Sequence, residues 1–167
     1  EKAKKMILDK QMKKANKGHE IRDPQKDYED SFYYDANKKI AFPALSIKQA
    51  MVNSARNIEG LPMTLLRGCV FVVGDKDGLI EVKFKEKRMR EDMVRVGMGS
   101  ADIRFRGEVI DWSMEFLIKY NADVISAEQV LNLLQIAGFS QGLGEWRPEK
   151  NGDFGTFEVQ KTSAKQK

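Results

Sequence analysis

The apolar residues of this chain change their spacing several times between residues 47 and 159, and this change of period constrains the fold more than any other feature. Apolar side chains recur at helical spacing from Ile47 to Ile58, which predicts an amphipathic helix. From Trp112 to Tyr120 every second residue is apolar or aromatic, which predicts a strand with one buried face. Helical and strand patterns in one short chain predict an α+β domain.

Two capping-box sequences mark the expected helix starts. Ser46 with Gln49 places the start of the first helix near Ile47, and Gly60 and Pro62 would stop it. Ser126 with Gln129 opens a second helix, which Gly138 would end. The expected buried stripe of this second helix consists of Val130, Leu133, Leu134 and Ala137.

Strand patterns fill the chain between and after these helices. Residues 68–73 and 79–84 are expected to pair as a hairpin across the turn at residues 74–78. Residues 85–106 are charged and contain an alternating stretch, which favours a protruding β-arm. The second helix is followed by a glycine-rich loop, residues 142–155, and by a last strand with Phe157 and Val159 facing inward.

This order of elements predicts a ferredoxin-like or RRM-like split βαβ core if one more strand precedes the first helix. Residues 1–41 contain no convincing strand, so either the missing strand lies upstream of Glu1 or the topology differs. The expected division is a basic N-terminal segment (1–41), an RRM-like core (42–160) with an inserted basic arm (85–106), and a basic tail (161–167).

The formal net charge of +4 is distributed unevenly along the chain. Residues 1–26 carry nine Lys or Arg against four Asp or Glu, and residues 83–106 carry eight against four, whereas residues 107–160 carry three against nine. Basic segments attached to an acidic body favour binding of a polyanion. The alternative is that the lysine-rich ends are solvated tails.

Two further features bear on where the protein works. No apolar run is long enough to cross a bilayer, so we expect no membrane partner. The lone cysteine, Cys69, lies within an apolar run, where a thiol usually behaves as a small buried hydrophobe. A chain without an internal disulfide is typical of a reducing compartment, and we expect a cytoplasmic protein.

Three segments carry candidate nucleic-acid-binding residues. The glycine-rich loop allows close backbone approach, with Trp146 to stack on a base and Arg147 to bind a phosphate. Lys48 near the start of the first helix could bind a phosphate together with the helix amides. Arginines spaced two apart would give the arm one basic face. The full set consists of Lys48, Arg56, Arg88, Arg90, Arg95, Arg104, Arg106, Trp146, Arg147 and Lys150.

Each of these features also has a purely structural interpretation. Trp146 could fill the core, Lys48 could be a solvated surface lysine, and the arm could serve self-association. The aromatic residues Tyr28, Phe32, Tyr33 and Tyr34 are more typical of a loop that covers a core than of a base-stacking site.

The sequence gives little support for catalysis. The single histidine, His19, lies among polar residues, and Cys69 offers it no nucleophilic partner. The chain has no P-loop, no dinucleotide-binding motif and no zinc-ligand spacing, so we expect no catalytic residue, no metal and no cofactor. The scattered aspartates between Asp23 and Asp35 are typical of turns.

Two stretches together resemble motifs of the RAMP superfamily of CRISPR-associated RNA-binding proteins. The run from Phe42 to Ala50 resembles the beginning of that superfamily's first helix, with Lys48 at the motif lysine, and residues 142–155 resemble its glycine-rich loop. The sequence departs from the motif where Gln49 follows the lysine in place of glycine and where Ala44-Leu45 replaces glycine-serine. The resemblance covers about residues 40–160.

The resemblance implies an RRM-like fold and a subunit that binds single-stranded RNA, as guide RNA, in an antiviral ribonucleoprotein. Its partners would be copies of itself and other subunits of that particle. Single-stranded DNA remains an alternative ligand. Two other functions stay open: an endoribonuclease of the RAMP type that uses Asp35 or His19, and a phage-encoded protein that binds single-stranded DNA or assembles as an adaptor.

Overall fold

The computed structural model describes residues 4–8, 22–97 and 99–160. Helices and antiparallel strand pairs are both present within these residues, which confirms the predicted α+β class. The elements in chain order are a helical turn at residues 4–8, α1 (Pro24–Glu29), β1 (Tyr33–Tyr34), β2 (Ile40–Pro43), α2 (Ala44–Ser54), a 3-10 turn (Ala55–Asn57), α3 (Met63–Cys69), β3 (Val70–Val73), β4 (Leu79–Lys83), β5 (Glu86–Val96), β6 (Ser100–Ile110), β7 (Ser113–Met114), β8 (Leu117–Tyr120), α4 (Ala127–Ser140) and a second 3-10 turn (Pro148–Lys150).

The chain divides into two compact units, each made of segments that are distant in sequence. Unit 1 consists of Glu1–Ala41 and Glu81–Met114, and unit 2 consists of Phe42–Ile80 and Glu115–Lys167. The boundaries therefore fall within β2, within β4 and between β7 and β8.

Unit 1 is built on the antiparallel hairpin of β5 and β6, in which Glu86 pairs with Ile110 and Val96 with Ser100. The strand pairing expected for residues 85–106 is present and continues to Ile110, but the hairpin belongs to a compact unit with Glu1–Ala41, and its protrusion as an arm stays a prediction. One of its faces is covered, because Ile103 and Phe105 are buried and α1 lies against β6. Gly107 allows the ring of Phe32 to lie directly on the strand, where a Cβ would overlap the ring.

Arg22, just before α1, binds the outer edge of β6. Its guanidinium donates to the carboxylate of Asp102 at 3.1 Å and to the carbonyl of Ile103 at 2.9 Å. A third hydrogen bond joins the same guanidinium to Asp27 of α1. Because one side chain links the helix and the strand, it fixes where α1 lies along β6.

Unit 2 has its core between α2 and α4. Ile47 and Met51 of α2 and Leu133 of α4 are almost completely buried. Ser54 is also fully buried, and its hydroxyl lies 2.7 Å from the carbonyl oxygen of Met51 and 3.2 Å from that of Leu133. These contacts satisfy the hydroxyl, which explains why a polar residue is tolerated on the predicted apolar stripe.

The two predicted helix starts have different outcomes. The capping box of Ser126 and Gln129 is present at α4, and its predicted stripe is buried. The predicted box at Ser46 is wrong, because α2 begins three residues before Ile47, at Ala44, with Pro43 as its N-cap. The Ala44 N–H donates to the carbonyl of Gly78, so this contact with the 74–78 turn sets the beginning of the helix.

The predicted hairpin of residues 68–73 and 79–84 is wrong. β3 pairs with β8, whereas β4 lies between β2 and β7 in a sheet of order β1-β2-β4-β7. Asp75 still closes a local turn, since its N–H donates to the Leu79 carbonyl and its carboxylate accepts from the Leu79 N–H. The preceding carbonyl, that of Gly78, accepts from the Ala44 N–H, and β4 continues from the turn alongside β2 rather than β3.

Four other strand predictions need correction or completion. β2 is the strand before the first helix that the sequence did not locate, and α3 occupies residues expected to be loop and strand. The single strand expected at residues 112–120 is divided into β7 and β8, which belong to different sheets. No strand follows α4 in the described chain, because the segment around Phe157 packs on α4 instead. The ferredoxin-like strand order is therefore not confirmed.

Candidate nucleic-acid interface

The arginines of the hairpin lie in a network of ion pairs. In the register of β5 and β6, Arg88 is opposite Glu108, Arg90 is opposite Arg106 and Asp92 is opposite Arg104, and residues opposite each other share a face. Glu108 contacts both Arg88 and Arg90, while Asp102 contacts Arg104 at 2.8 Å. The prediction of one basic face is wrong, because this face carries acidic residues in comparable number.

Asp92 is the centre of this network. Its carboxylate accepts hydrogen bonds from Arg90 at 2.9 Å and from Arg106 at 3.3 Å. Burial alone would raise the pKa of Asp92, but the hydrogen bonds and positive charge of the two arginines outweigh it and hold this pKa below its usual value. The same pairing raises the pKa of Arg90 against the effect of its partial burial.

We expect the ion pairs of Asp92 to stabilise the protein at neutral pH and to be lost in acid. Because the folded-state pKa is lower than the unfolded one, the stabilisation is complete above about pH 4 and disappears as the pH falls through the folded-state pKa. Asp92→Asn should cost about 1–3 kcal/mol at neutral pH, since it leaves arginines short of a partner.

Thermal unfolding followed from neutral pH into acid checks this expectation. The wild-type protein should lose its advantage over Asp92→Asn as the pH falls below about 4. Asp77→Asn, an exposed change in the turn before β4, serves as the matched control and should unfold like the wild type throughout. Parallel curves for Asp92→Asn and wild type would contradict a role for Asp92 in acid stability.

Arg95 differs from the other hairpin arginines. It is opposite Ala101 in the register and lies on the other face of the hairpin, together with Met89, Glu91 and Met93. It is exposed, and it makes no ion pair with any described residue. Of the five predicted arm residues, Arg95 is therefore the one whose charge no neighbouring carboxylate balances.

Lys48 lies in the second turn of α2, not in the first, because the helix begins at Ala44. Its ammonium donates to the carbonyl of Arg67 at 2.8 Å and lies 3.9 Å from the centroid of the Phe71 ring. The first amide of the helix is bonded to Gly78. The predicted phosphate site at this helix start is therefore not formed as expected: one of its amides is occupied, and Lys48 binds α3 and β3.

The glycine-rich loop has the backbone conformation that its glycines predict. Gly142, Gly144 and Gly155 have φ values of 65°, 79° and 72°, a region that side chains disfavour. The φ of Gly152 is not positive, but a Cβ at this position would overlap the carbonyl oxygen of Trp146. The same carbonyl accepts from the Phe154 N–H at 3.0 Å, and the Gly155 carbonyl accepts from the Leu143 N–H at 2.9 Å. The loop is thus folded back on itself.

Trp146 is held in a strained conformation at the surface of this loop. Its φ is 55°, which costs a non-glycine residue about 1–2 kcal/mol. Its side chain is 46 % exposed, so it does not fill the core, and part of the indole is available to a ligand. Strain of this kind persists only where the surrounding structure imposes it, and it is concentrated at functional sites.

Arg147 holds the loop together. One of its guanidinium nitrogens donates to the Gly144 carbonyl at 2.8 Å, and two others donate to the carboxylate of Glu149 at 2.6 and 2.9 Å. The other oxygen of Glu149 accepts from the Asn53 amide of α2 at 3.2 Å. Arg147 therefore shapes the loop and, through Glu149, joins it to α2, so a phosphate would have to compete with Glu149 for it.

Arg56 and Lys150 are exposed cations that lie close in sequence to Asn53 and Glu149, the residues that connect the loop with α2. Arg56 follows Asn53 by three residues, and its Nε contacts the sulfur of Met63 at 3.4 Å rather than a carboxylate. Lys150 is exposed in the short helical turn after Arg147 and makes no ion pair with a described residue. Lys48, Arg56, Trp146, Arg147 and Lys150 all belong to unit 2, and the five arm arginines belong to unit 1.

Sequence reasoning missed the partners of these residues. Acidic residues at spacing two from the arginines, as in the run from Arg88 to Asp92, were a signal that the arm could neutralise itself. Glu149, two residues after Arg147, was a similar signal. Phe71, 49 % exposed beneath Lys48, carried none, because the contact joins residues that are far apart in sequence.

The candidate catalytic residues have structural roles or lie outside the described residues. Asp35 shapes the turn between β1 and β2, where its carboxylate accepts from the N–H groups of Asn37 and Lys39 at 2.8 Å. Cys69 is a buried free thiol, as predicted. His19 lies outside the described residues. Within the described part of the chain, no three His, Cys, Asp or Glu residues come together to hold a metal ion.

No protein-family model matches the chain, and a search of curated proteins finds no match. The RAMP resemblance and the function it implies therefore remain predictions. None of the helices in the described residues combines the length and apolar character needed to cross a membrane.

Proposed function

We propose that the protein binds single-stranded nucleic acid, with RNA as the preferred ligand, and that a base stacks on Trp146. One observation carries the proposal: a large aromatic side chain, 46 % exposed, is held in a strained backbone conformation by a loop that its own hydrogen bonds make rigid. Base stacking on such a side chain is tolerant of sequence and needs no base-edge contacts.

The charges around the loop support the same proposal. Lys150 and Arg56 are exposed and have no carboxylate partner among the described residues, so they are free to bind phosphates. The hairpin contributes less than its arginine content suggests, because Asp92, Asp102 and Glu108 balance those charges. Binding should accordingly depend only moderately on salt, and loss of Lys150 should reduce the salt slope by about 0.7.

The test is the affinity of the full chain for a labelled oligouridine, measured by fluorescence anisotropy. Trp146→Ala should weaken binding by about 5- to 150-fold, the range for loss of one stacked base, and Trp146→Phe should retain part of the affinity. Phe139→Ala is the matched control, because Phe139 is an aromatic residue of the same unit that is 82 % exposed on α4. In a Trp112→Phe background Trp146 is the remaining tryptophan, and its fluorescence should be quenched when the oligonucleotide binds.

Four results would count against the proposal. Equal affinities of wild type and Trp146→Ala would remove the loop from the interface, and a stronger effect of Phe139→Ala would place the interface on α4. Defined RNA fragments, present with wild type and absent with Asp35→Ala, would favour the endoribonuclease alternative. Oligodeoxythymidine bound more tightly than oligouridine would make DNA the preferred ligand.

A further inference from the structure

We propose that strand β5 pairs with β5 of a second copy of this chain to form a two-fold symmetric dimer. Among the described residues β5 has one strand neighbour, β6, and no strand of that part of the chain pairs with its other edge. Eight of its eleven residues are exposed, so most of the strand is accessible to solvent. An open edge of this length is a template for another strand.

The backbone groups that such a partner needs face outward. The Gly107 N–H donates to the Ser31 hydroxyl at 2.7 Å, and the Ile103 carbonyl accepts from Arg22, so these β6 groups face away from β5. In an antiparallel pair, the residue opposite an outward-facing residue is also outward-facing. Met93, opposite Ile103, and its alternate neighbours Glu91 and Arg95 therefore present their N–H and C=O groups to the open edge.

The side chains select one register for this pairing. When two antiparallel copies are centred on Met93, the two Met93 residues are opposite each other and Glu91 of each copy is opposite Arg95 of the other. Met93 is 54 % exposed and Val96 is 42 % exposed, so the contact would cover apolar surface as well. Both Glu91–Arg95 pairs join opposite charges, and no pair joins like charges.

The neighbouring registers are less favourable, because they bring like charges together or lose the Glu91–Arg95 ion pairs. Centring the pair on Asp92, Glu91 or Arg90 puts each of these residues opposite its own copy, which places like charges in direct contact. Centring it on Val94 avoids repulsion but shortens the overlap and loses the ion pairs. Arg95 has no ion pair with a described residue, and the present partner of Glu91 is Lys4, a pair in which both side chains are exposed. An exposed ion pair of this kind contributes little to stability, so Glu91 can give up Lys4 for Arg95 of the second copy.

An overlap of seven residues per strand, from Arg90 to Val96, makes a small interface, so we expect a weak dimer that forms at high protein concentration. Sedimentation velocity of the full chain over micromolar to millimolar concentrations, in the absence of nucleic acid, measures it. Because no ligand is present, the outcome is independent of the proposed nucleic-acid binding. A chain that stays monomeric over the whole range would overturn the proposal.

A charge exchange tests the register. Glu91→Arg alone and Arg95→Glu alone each create two like-charge pairs and should each weaken the dimer by about tenfold or more. An equimolar mixture of the two variants restores opposite charges at both positions and should dimerise at least as well as wild type. Lys76→Glu, an equal charge change in the exposed turn before β4, should have no effect. A mixture that stays monomeric would overturn the register.

Met93→Pro tests the use of the open edge. Because the Met93 N–H faces outward, proline at this position removes no hydrogen bond between β5 and β6 but blocks pairing at the centre of the dimer. The variant should be monomeric with an unchanged circular dichroism spectrum. A Met93→Pro protein that keeps this spectrum and still dimerises would overturn the proposal, and the charge exchange decides the question if the spectrum changes.

Discussion

Gly155→Ala is expected to destabilise the protein by about 2–4 kcal/mol and to abolish binding through Trp146. Gly155 has a φ of 72°, and a Cβ at this position would overlap the carbonyl oxygen of Leu143. The Leu143 N–H also donates to the Gly155 carbonyl at 2.9 Å. The substitution therefore strains the backbone and separates the two ends of the loop, so that Trp146 loses its position.

Gly144→Ala is the matched control for this prediction. Gly144 has a similar φ of 79°, but no atom lies within 4 Å of the position its Cβ would take. Alanine there should cost only the backbone strain, about 1–2 kcal/mol. Chemical denaturation and oligouridine titration of both variants measure the two effects. Equal losses of stability for the two variants would show that close packing at Gly155 does not hold the loop.

Gly138→Ala is expected to destabilise the protein by about 2–3 kcal/mol, although alanine favours a helix over glycine by about 1 kcal/mol. Gly138 lies within α4, and a Cβ there would overlap the carbonyl oxygen of Phe157. The Gly138 carbonyl also accepts from the Phe157 N–H at 3.2 Å. The extended C-terminal segment would have to move off the helix.

Gly68→Ala is the matched control, and it is expected to change the stability in the opposite direction. Gly68 lies in α3, and nothing lies within 4 Å of the position of its Cβ. Alanine there should stabilise the protein by up to about 1 kcal/mol. Thermal unfolding of the two variants side by side tests whether packing or helix propensity decides, and limited proteolysis at the C-terminal segment should detect its release in Gly138→Ala alone. Stabilisation by both substitutions would show that the segment is not held at Gly138.

The candidate site was predictable where it depends on local conformation. Glycines in residues 142–155 predicted an irregular loop, and the structure gives Gly142, Gly144 and Gly155 positive φ values. The exposure of Trp146 was an open question, since the same pattern fits a tryptophan that fills the core. In the structure the Trp146 carbonyl accepts from the Phe154 N–H and lies close against Gly152, and the side chain is 46 % exposed.

The electrostatics of the arm show why counting charges along the chain was not enough. Arginines spaced two apart do share a face, as predicted, but so do Asp92, Asp102 and Glu108. The register between two strands decides which opposite charges meet, and one residue of slip would put Arg88 and Glu108 on different faces. The face of the hairpin that was expected to attract phosphates is therefore already occupied by its own ion pairs.

The sequence alone determined the features that depend on residues a few positions apart. These are the amphipathic stripes of α2 and α4, the capping box of Ser126, the alternation in the β5–β6 hairpin and the buried state of Cys69. Helical hydrogen bonds and strand alternation have short, fixed periods, so a single segment carries enough information to specify them.

Only the tertiary structure decided which segments pair. β3 joined β8 instead of β4, the expected strand of residues 112–120 was divided between two sheets, and the segment around Phe157 packed on α4 instead of forming a strand. Each choice was settled by a contact between residues distant in sequence, such as Ala44 with Gly78 or Phe157 with Gly138. Backbone groups can bond to any strand or helix, so the pairing depends on which partner the whole packed chain brings within reach.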